Sequence, residues 1–208
     1  MQVCECRQSK VAQQAQARLF RLSNLQAFSQ MTLESFKTEG RMGLGDQQVS
    51  SLQVAHNQAS HFSQNPSGWL LFMGTYGSGK THLAAAIANK VIELGMPTLF
   101  LTVPDLLDWL RYSYGSHESS FEERFEEIRN IRLLVLDDLG TQNTTPWAEE
   151  KLYQILNHRY THHLPTVITT NQELIEIEGR IRSRLQDPDL VTIVRILAPD
   201  FRSPVREE

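Results

Sequence analysis

The sequence has little of what would mark a secreted, membrane-bound or globally nucleic-acid-coating protein. Two cysteines, Cys4 and Cys6, are the only ones in 208 residues. No disulfide framework can therefore hold the fold, and a reducing cytoplasm is the expected compartment. No apolar stretch approaches the ~18 residues of a membrane span, and the N-terminus lacks an apolar secretory core. Lys10, Arg18 and Arg21 stand in an acid-poor start that an organelle transit peptide would share, but composition alone carries that reading. Charge of neither sign dominates: 20 Lys+Arg against 24 Asp+Glu leave a net charge of −4. Nucleic-acid binding would have to come from a local patch or an assembly. Internal repeats and low-complexity tracts are absent. What remains is an ordinary globular composition, 40% hydrophobic and 21% charged, in a chain long enough for one α/β domain.

Hydrophobic spacing orders that domain. Residues 9–22 carry Val11, Ala15, Leu19 and Leu22 at helical intervals, predicting a mildly basic amphipathic helix. A turn-rich stretch, residues 32–48, precedes a helix from about Val49 to Phe62, and Asn65-Pro-Ser-Gly68 breaks the chain before a strand at Trp69–Met73. Helices are expected over Thr81–Leu94, from Pro104, from a capping box at Ser120-Phe-Glu-Glu123, and over Pro146–Tyr160. Between them fall continuous apolar strands at Thr98–Val103, Ile131–Leu136, Val167–Thr170 and Val191–Ile196. Alternating strands and helices, with strands apolar on both faces, predict a parallel sheet covered on both sides.

The stretch GTYGSGKT, residues 74–81, joins the first of these strands to a helix without a gap. It answers to G-x-x-x-x-G-K-[ST] with Gly74, Gly79, Lys80 and Thr81 at the fixed positions. Glycines allow successive backbone N–H groups to face phosphate oxygens, and the helix N-terminus adds its positive end. Lys80 supplies a mobile cation for the β- and γ-phosphates, and the Thr81 hydroxyl can ligate Mg²⁺. Gly74, Thr75, Tyr76, Gly77, Ser78, Gly79, Lys80, Thr81 and His82 are the expected ATP-binding residues.

A second element, Arg132-Leu-Leu-Val-Leu-Asp-Asp138, is a buried strand ending in two carboxylates. Strand-end acids are also ordinary caps and loop residues; beside a phosphate loop the catalytic reading is preferred. Asp137 then serves the Mg²⁺ shell, and Asp138, one step on and pointing elsewhere, polarises the attacking water. Asn171, after the next strand, is either a common turn residue or an amide that positions water or senses the γ-phosphate. In Gly179-Arg-Ile-Arg-Ser-Arg-Leu185, Arg180 and Arg184 share a helix face while Arg182 points away. They form either a solvated basic helix or an arginine presented to a neighbouring subunit's phosphate. His158, His162 and His163 lack an acidic partner at ligand spacing. Cys4-Glu-Cys6 supplies half of a four-ligand zinc site at most.

Six blocks, LLFMGTYGSGKTHLAAAIANKV, VPDLLDWLR, LLVLDDLGTQ, WAEEKLYQILNHRY, LPTVITTN and RIRSRL, appear in the order of a known family. Over about residues 30–202 the chain resembles the DnaC/DnaI-type helicase loaders, AAA+ ATPases similar to the transposition helper ATPase IstB. The resemblance implies a P-loop NTPase of the AAA+ type, with a five-stranded parallel sheet between helices. It matches Asp137 and Asp138 to the Walker-B acids, Asn171 to sensor I and Arg184 to an arginine finger acting across a subunit boundary. Many AAA+ proteins have glutamate where Asp138 stands. Only 24 residues follow Arg184, too few for a C-terminal helical lid domain. Residues 1–30 are expected to be a helical remnant of a helicase-binding or zinc module, and residues 31–208 the ATPase domain.

The function implied is an ATP-dependent loader that places a replicative ring helicase on single-stranded DNA. ATP and Mg²⁺ would be its cofactors, self-association into a ring or spiral its working form, and slow hydrolysis its clock. A transposition helper ATPase is the alternative within the fold. A P-loop small-molecule kinase or a non-hydrolysing nucleotide-binding scaffold is the alternative outside it. The Asp137-Asp138 strand tip and the lack of an arginine-rich lid argue against the kinase.

Overall fold

The computed structural model describes residues 24–41, 43–114, 118–140 and 145–202. The expected helix over residues 9–22 and the pair Cys4 and Cys6 lie outside them. Five strands run β1 Trp69–Gly74, β2 Thr98–Thr102, β3 Leu133–Leu139, β4 Thr166–Thr170 and β5 Val191–Ile196. Among the described residues, six α-helices run α1 Asp46–Gln64, α2 Lys80–Glu93, α3 Val103–Tyr114, α4 Glu118–Asn130, α5 Pro146–Thr161 and α6 Gly179–Leu185. All strand pairs are parallel, in the order β2-β3-β4-β1-β5.

The strands are apolar because alternate residues face two separate cores. Leu70 and Phe72 of β1 pack with Leu52 and Ala55 of α1 and Leu83 and Ile87 of α2. Trp69, Leu71 and Met73 face the opposite layer, built from Leu106 of α3, Phe121 and Phe125 of α4, Leu152 and Ile155 of α5, and Ile181 of α6. The fifth strand departs from the expected two-sided cover. Val191, Val194 and Ile196 are buried, but Thr192, Ile193 and Arg195 are exposed, as β5 lies at the edge of the sheet beside β1.

Local chemistry sets the helix ends. Helix α1 begins three residues earlier than its apolar pattern suggests, because the Gln48 side chain accepts the Gly45 N–H at 3.1 Å. Helix α5 starts on Pro146, with the Thr145 hydroxyl accepting the Ala148 N–H at 3.3 Å.

A charge at the base of the sheet went unread in the sequence. Arg159 is fully buried and spends its donors on Thr166 Oγ1 and on the carbonyls of Arg129, Ile131 and Pro165. Burial pushes its pKa down to about 9, so the guanidinium stays charged at neutral pH while tying α4, α5 and the start of β4 together.

The chain enters through a 3-10 turn, Asn24–Phe28. Leu25 is buried in the α1–α2 core, the Phe28 ring lies 5.4 Å from that of Phe100, and Asn89 Nδ2 donates to the carbonyls of Phe28 and Met31. Leu25 and Phe28, on the N-terminal side of the expected boundary at residue 30, thus pack against the sheet domain.

Candidate functional site

The phosphate-loop segment leaves the C-terminal end of β1 and turns on glycines in the left-handed region, Gly77 at φ 66° and Gly79 at φ 102°. An L-residue at either position would be strained. Gly74 packs so closely on β5 that a Cβ would stand 2.6 Å from the Ile196 carbonyl oxygen. Thr75 bonds the chain beyond β5, Tyr76 is exposed at the loop tip, and Ser78 is buried with an unpartnered hydroxyl.

Lys80 opens α2 and folds back into the loop. It is 4% exposed, and its Nζ donates to Gly74 O at 3.0 Å and Thr75 O at 2.7 Å. Burial lowers its pKa, against the pull of Asp138 and Asp137. A cation held this way gains when phosphate oxygens replace the two carbonyls.

The two acids are placed by a β-bulge. The β3–β4 register jumps between Leu136 and Leu139, and Asp138 adopts a left-handed φ of 59°. A regular strand would send Asp137 and Asp138 to opposite faces, as the spacing predicts. The bulge instead turns Asp138 back toward the loop, where it shares a cavity with Lys80, Thr81 and Asn171. Thr169 holds this geometry. Its hydroxyl donates to Asp137 Oδ1 at 2.7 Å and accepts the Asp138 N–H at 2.9 Å. On the other side of the bulge, Thr170 Oγ1 donates to Leu139 O at 2.7 Å. Thr81 Oγ1 completes the group, 3.1 and 3.0 Å from the Asp137 carboxylate oxygens. Burial raises the Asp137 pKa, partly countered by the Thr169 bond.

Asn171 reaches Asp138 through Nδ2, at 3.4 Å from Oδ1, while its own Oδ1 is buried without a hydrogen-bond partner. His82 also lines the cavity, but its imidazole is engaged by the entering chain: Nε2 lies 2.9 Å from Thr32 O and 3.2 Å from Ser35 Oγ. That contact seats Phe36, whose ring meets His82 edge-on at 5.3 Å and closes on Gly79. Phe36 escaped the sequence reading because it lies in a turn-rich segment with no periodic signal.

Loop, Asp138 and entering chain enclose a cavity of about 390 Å³, with an apolar wall of Met31, Phe36, Leu44 and Leu52 facing the polar loop. The fit to a magnesium nucleotide follows from these residues. Left-handed glycines make a cradle that side chains would fill. Hydroxyl and carboxylate oxygens of Thr81 and Asp137 are the hard donors Mg²⁺ prefers, and the apolar wall suits a base.

Arg184 does not line this cavity. Its guanidinium lies over Tyr153 and Tyr160, and bonds Asn157 Oδ1, the Tyr153 hydroxyl and Arg180 O. Arg180 packs on the same tyrosine and pairs with Glu150 and Glu178, while Arg182 bonds Ile175 O on another side. This is the division of faces the spacing predicts. The rings of His158 and His162 lie 4.1 Å apart, tilted by 30°, and no metal-binding cluster of three or more groups occurs among the described residues.

A parallel sheet in the order β2-β3-β4-β1-β5, with a glycine loop after β1 and acids at the tip of β3, defines an α/β P-loop fold. The chain belongs to the IstB-like ATP binding protein family, whose model matches residues 3–197. Among curated relatives, the replicative helicase loader DnaC of Escherichia coli (strain K12) is 29% identical over 140 residues, 67% of this chain and 57% of the relative. The chain thus spans little more than half the length of that relative. The crystal structure of the DnaC helicase loader superposes with a TM-score of 0.67 at 23% identity, covering 82% of this chain and 98% of that one. AMPPCP-bound DnaA from Aquifex aeolicus gives 0.65 at 18% identity, covering 78% of this chain and 49% of that one. Both structural likenesses concern the fold. No described helix is long and apolar enough to cross a membrane.

Proposed function

We propose that the chain is an ATP-hydrolysing helicase loader, which places a replicative ring helicase on single-stranded DNA. The observation that carries the enzymatic part is the bulge at Asp137-Asp138, because it brings Asp138 into one cavity with Lys80 and Thr81 beside an apolar wall, while Asp137 stays buried behind it within hydrogen-bond distance of the Thr81 hydroxyl. The helicase and the DNA come from membership of the family and from likeness to a relative that is named a replicative helicase loader.

Each residue then has a task. The backbone of Gly74–Lys80 holds the phosphates, and Lys80 Nζ exchanges its two carbonyls for β- and γ-phosphate oxygens. Thr81 and Asp137 would hold Mg²⁺, which when bound would neutralise charge on those oxygens. Asp138 takes a proton from the attacking water as that oxygen bonds the γ-phosphorus and the bond to the β–γ bridging oxygen breaks. Asn171, with Oδ1 unpartnered and Nδ2 on Asp138, orients that water. Arg184, remote from its own cavity, serves the neighbouring subunit of a ring or spiral. Residues before Asn24 are assigned to partner binding, and the sheet domain to ATP.

Two measurements test this. Phosphate release should be slow and should rise with single-stranded DNA; no release under any condition leaves only a binding scaffold. Co-purification should recover a replicative helicase. Recovery of a transposase instead would assign the chain to the transposition-helper branch.

A further inference from the structure

After β5 the chain turns back across the phosphate loop. Thr75 Oγ1 donates to Ala198 O at 3.3 Å, and the Phe201 N–H donates to Gly77 O at 3.0 Å. Between these two bonds the Asp200 carboxylate lies directly on Gly77, where a methyl group would overlap it. The absent side chain of Gly77 therefore serves two ends, the left-handed turn and the seating of this strap. Arg41 lies 4.6 Å from the Phe201 ring centroid and Lys37 5.8 Å from it, while the ring's remaining surface is exposed. The strap is thus clamped between the loop and the entering chain. Asp200 accepts the Arg202 N–H at 2.8 Å and Arg202 Nε at 3.4 Å. Both residues line the cavity that holds Lys80 and Thr81.

A carboxylate in this place competes for the field that phosphates need. Inward N–H groups and the start of α2 favour negative charge, and Asp200 already supplies one unit of it. We propose that Asp200 determines nucleotide specificity: held on Gly77 by the strap, it lowers affinity for the nucleoside triphosphate more than for the diphosphate, so that triphosphate binding and strap docking oppose each other. The inference rests on reading the loop as a nucleotide site. The magnesium triphosphate carries one more negative charge than the magnesium diphosphate, and that charge meets Asp200 at the loop. Linkage makes the effect mutual: what the docked strap takes from triphosphate affinity, triphosphate takes from docking. Arg202, bonded to Asp200, offsets part of the repulsion and keeps it modest. Lys80 senses both groups, Arg202 lowering its pKa and Asp200 raising it, each less than burial does.

The test is calorimetry of MgATP and MgADP on the full chain and on Asp200→Asn, which keeps the shape and the acceptor for the Arg202 N–H. A second readout is hydrogen exchange of the Phe201 amide. Asp200→Asn should tighten MgATP about three- to tenfold and MgADP by less, the size of one screened charge. In the parent, MgATP should speed exchange at Phe201 more than MgADP does; in Asp200→Asn the difference should shrink. Unchanged MgATP affinity, with the parent binding both nucleotides, overturns the inference and leaves the nucleotide site standing. Weaker MgATP binding also overturns it, and would make Asp200 a ligand. A parent that binds neither nucleotide refutes the nucleotide site and the inference together.

Discussion

Thr169 and Asp137 are joined by a 2.7 Å bond from hydroxyl to Oδ1, and the same hydroxyl receives the backbone N–H of Asp138. One side chain on β4 therefore fixes both the carboxylate assigned to magnesium and the bulge that re-aims its neighbour. Thr169→Val keeps the volume and removes both bonds. It should destabilise the fold by about 2 kcal/mol, since the Asp138 N–H loses its partner, and should weaken Mg²⁺-dependent nucleotide binding. Urea unfolding and calorimetry measure the two effects; a variant as stable as the parent would show that the bulge holds without Thr169.

Lys80→Ala should abolish ATP binding, because the cation facing the β- and γ-phosphates is lost. Lys80→Met, which fills the same space, should bind no ATP either yet be more stable than the parent without nucleotide at neutral pH. Burial lowers the Lys80 pKa below its ordinary 10.5, so the unfolded chain binds this proton more tightly. The parent should therefore gain stability as pH rises toward 10.5, and Lys80→Met should lack that gain. Equal nucleotide affinity in parent and variants would sink the phosphate-loop assignment.

The two acids should separate. Asp137→Asn should weaken Mg²⁺-dependent binding, whereas Asp138→Asn should bind ATP and fail to hydrolyse it. Without ligand, Asp137→Asn should be more stable than the parent near neutrality. Burial raises the Asp137 pKa above 3.8; its favourable, protonated state is complete below 3.8 and is lost as pH rises through the raised value. The advantage of the Asn variant should accordingly vanish in acid. Turnover by Asp138→Asn at the parent rate would move the general base elsewhere.

Arg184→Ala should bind ATP normally and hydrolyse it slowly even at high protein concentration, since an arginine supplied to the transition state is worth ~10³–10⁵ in rate. Its lost packing on Tyr153 and Tyr160 should cost about 1 kcal/mol of stability. Mixing it with Lys80→Ala should restore activity, because the second variant keeps an intact finger and the first an intact pocket. The measurement is ATPase rate against mixing ratio. Absence of recovery between two folded, associating variants would place the finger in cis or at Arg182.

Much of this protein was determined by sequence acting locally. Apolar runs bounded by Gly and Pro set strands β1 to β4, since a buried parallel strand needs side chains apolar on both faces. The phosphate loop was legible because its glycines, Lys80 and Thr81 follow one another along a single turn. The facing of Arg180 with Arg184 follows from helical spacing alone. Tertiary structure decided the rest. Asp138 faces the site only because β4 fixes a bulge, and strand periodicity without a partner points it away. Phe36, the Arg159 network and the seat of Asp200 on Gly77 join residues that lie far apart in the chain, where local propensity is silent. Such contacts exist only after the sheet has brought its strand ends together, and there the packing of backbone and charge settles which side chains share a cavity.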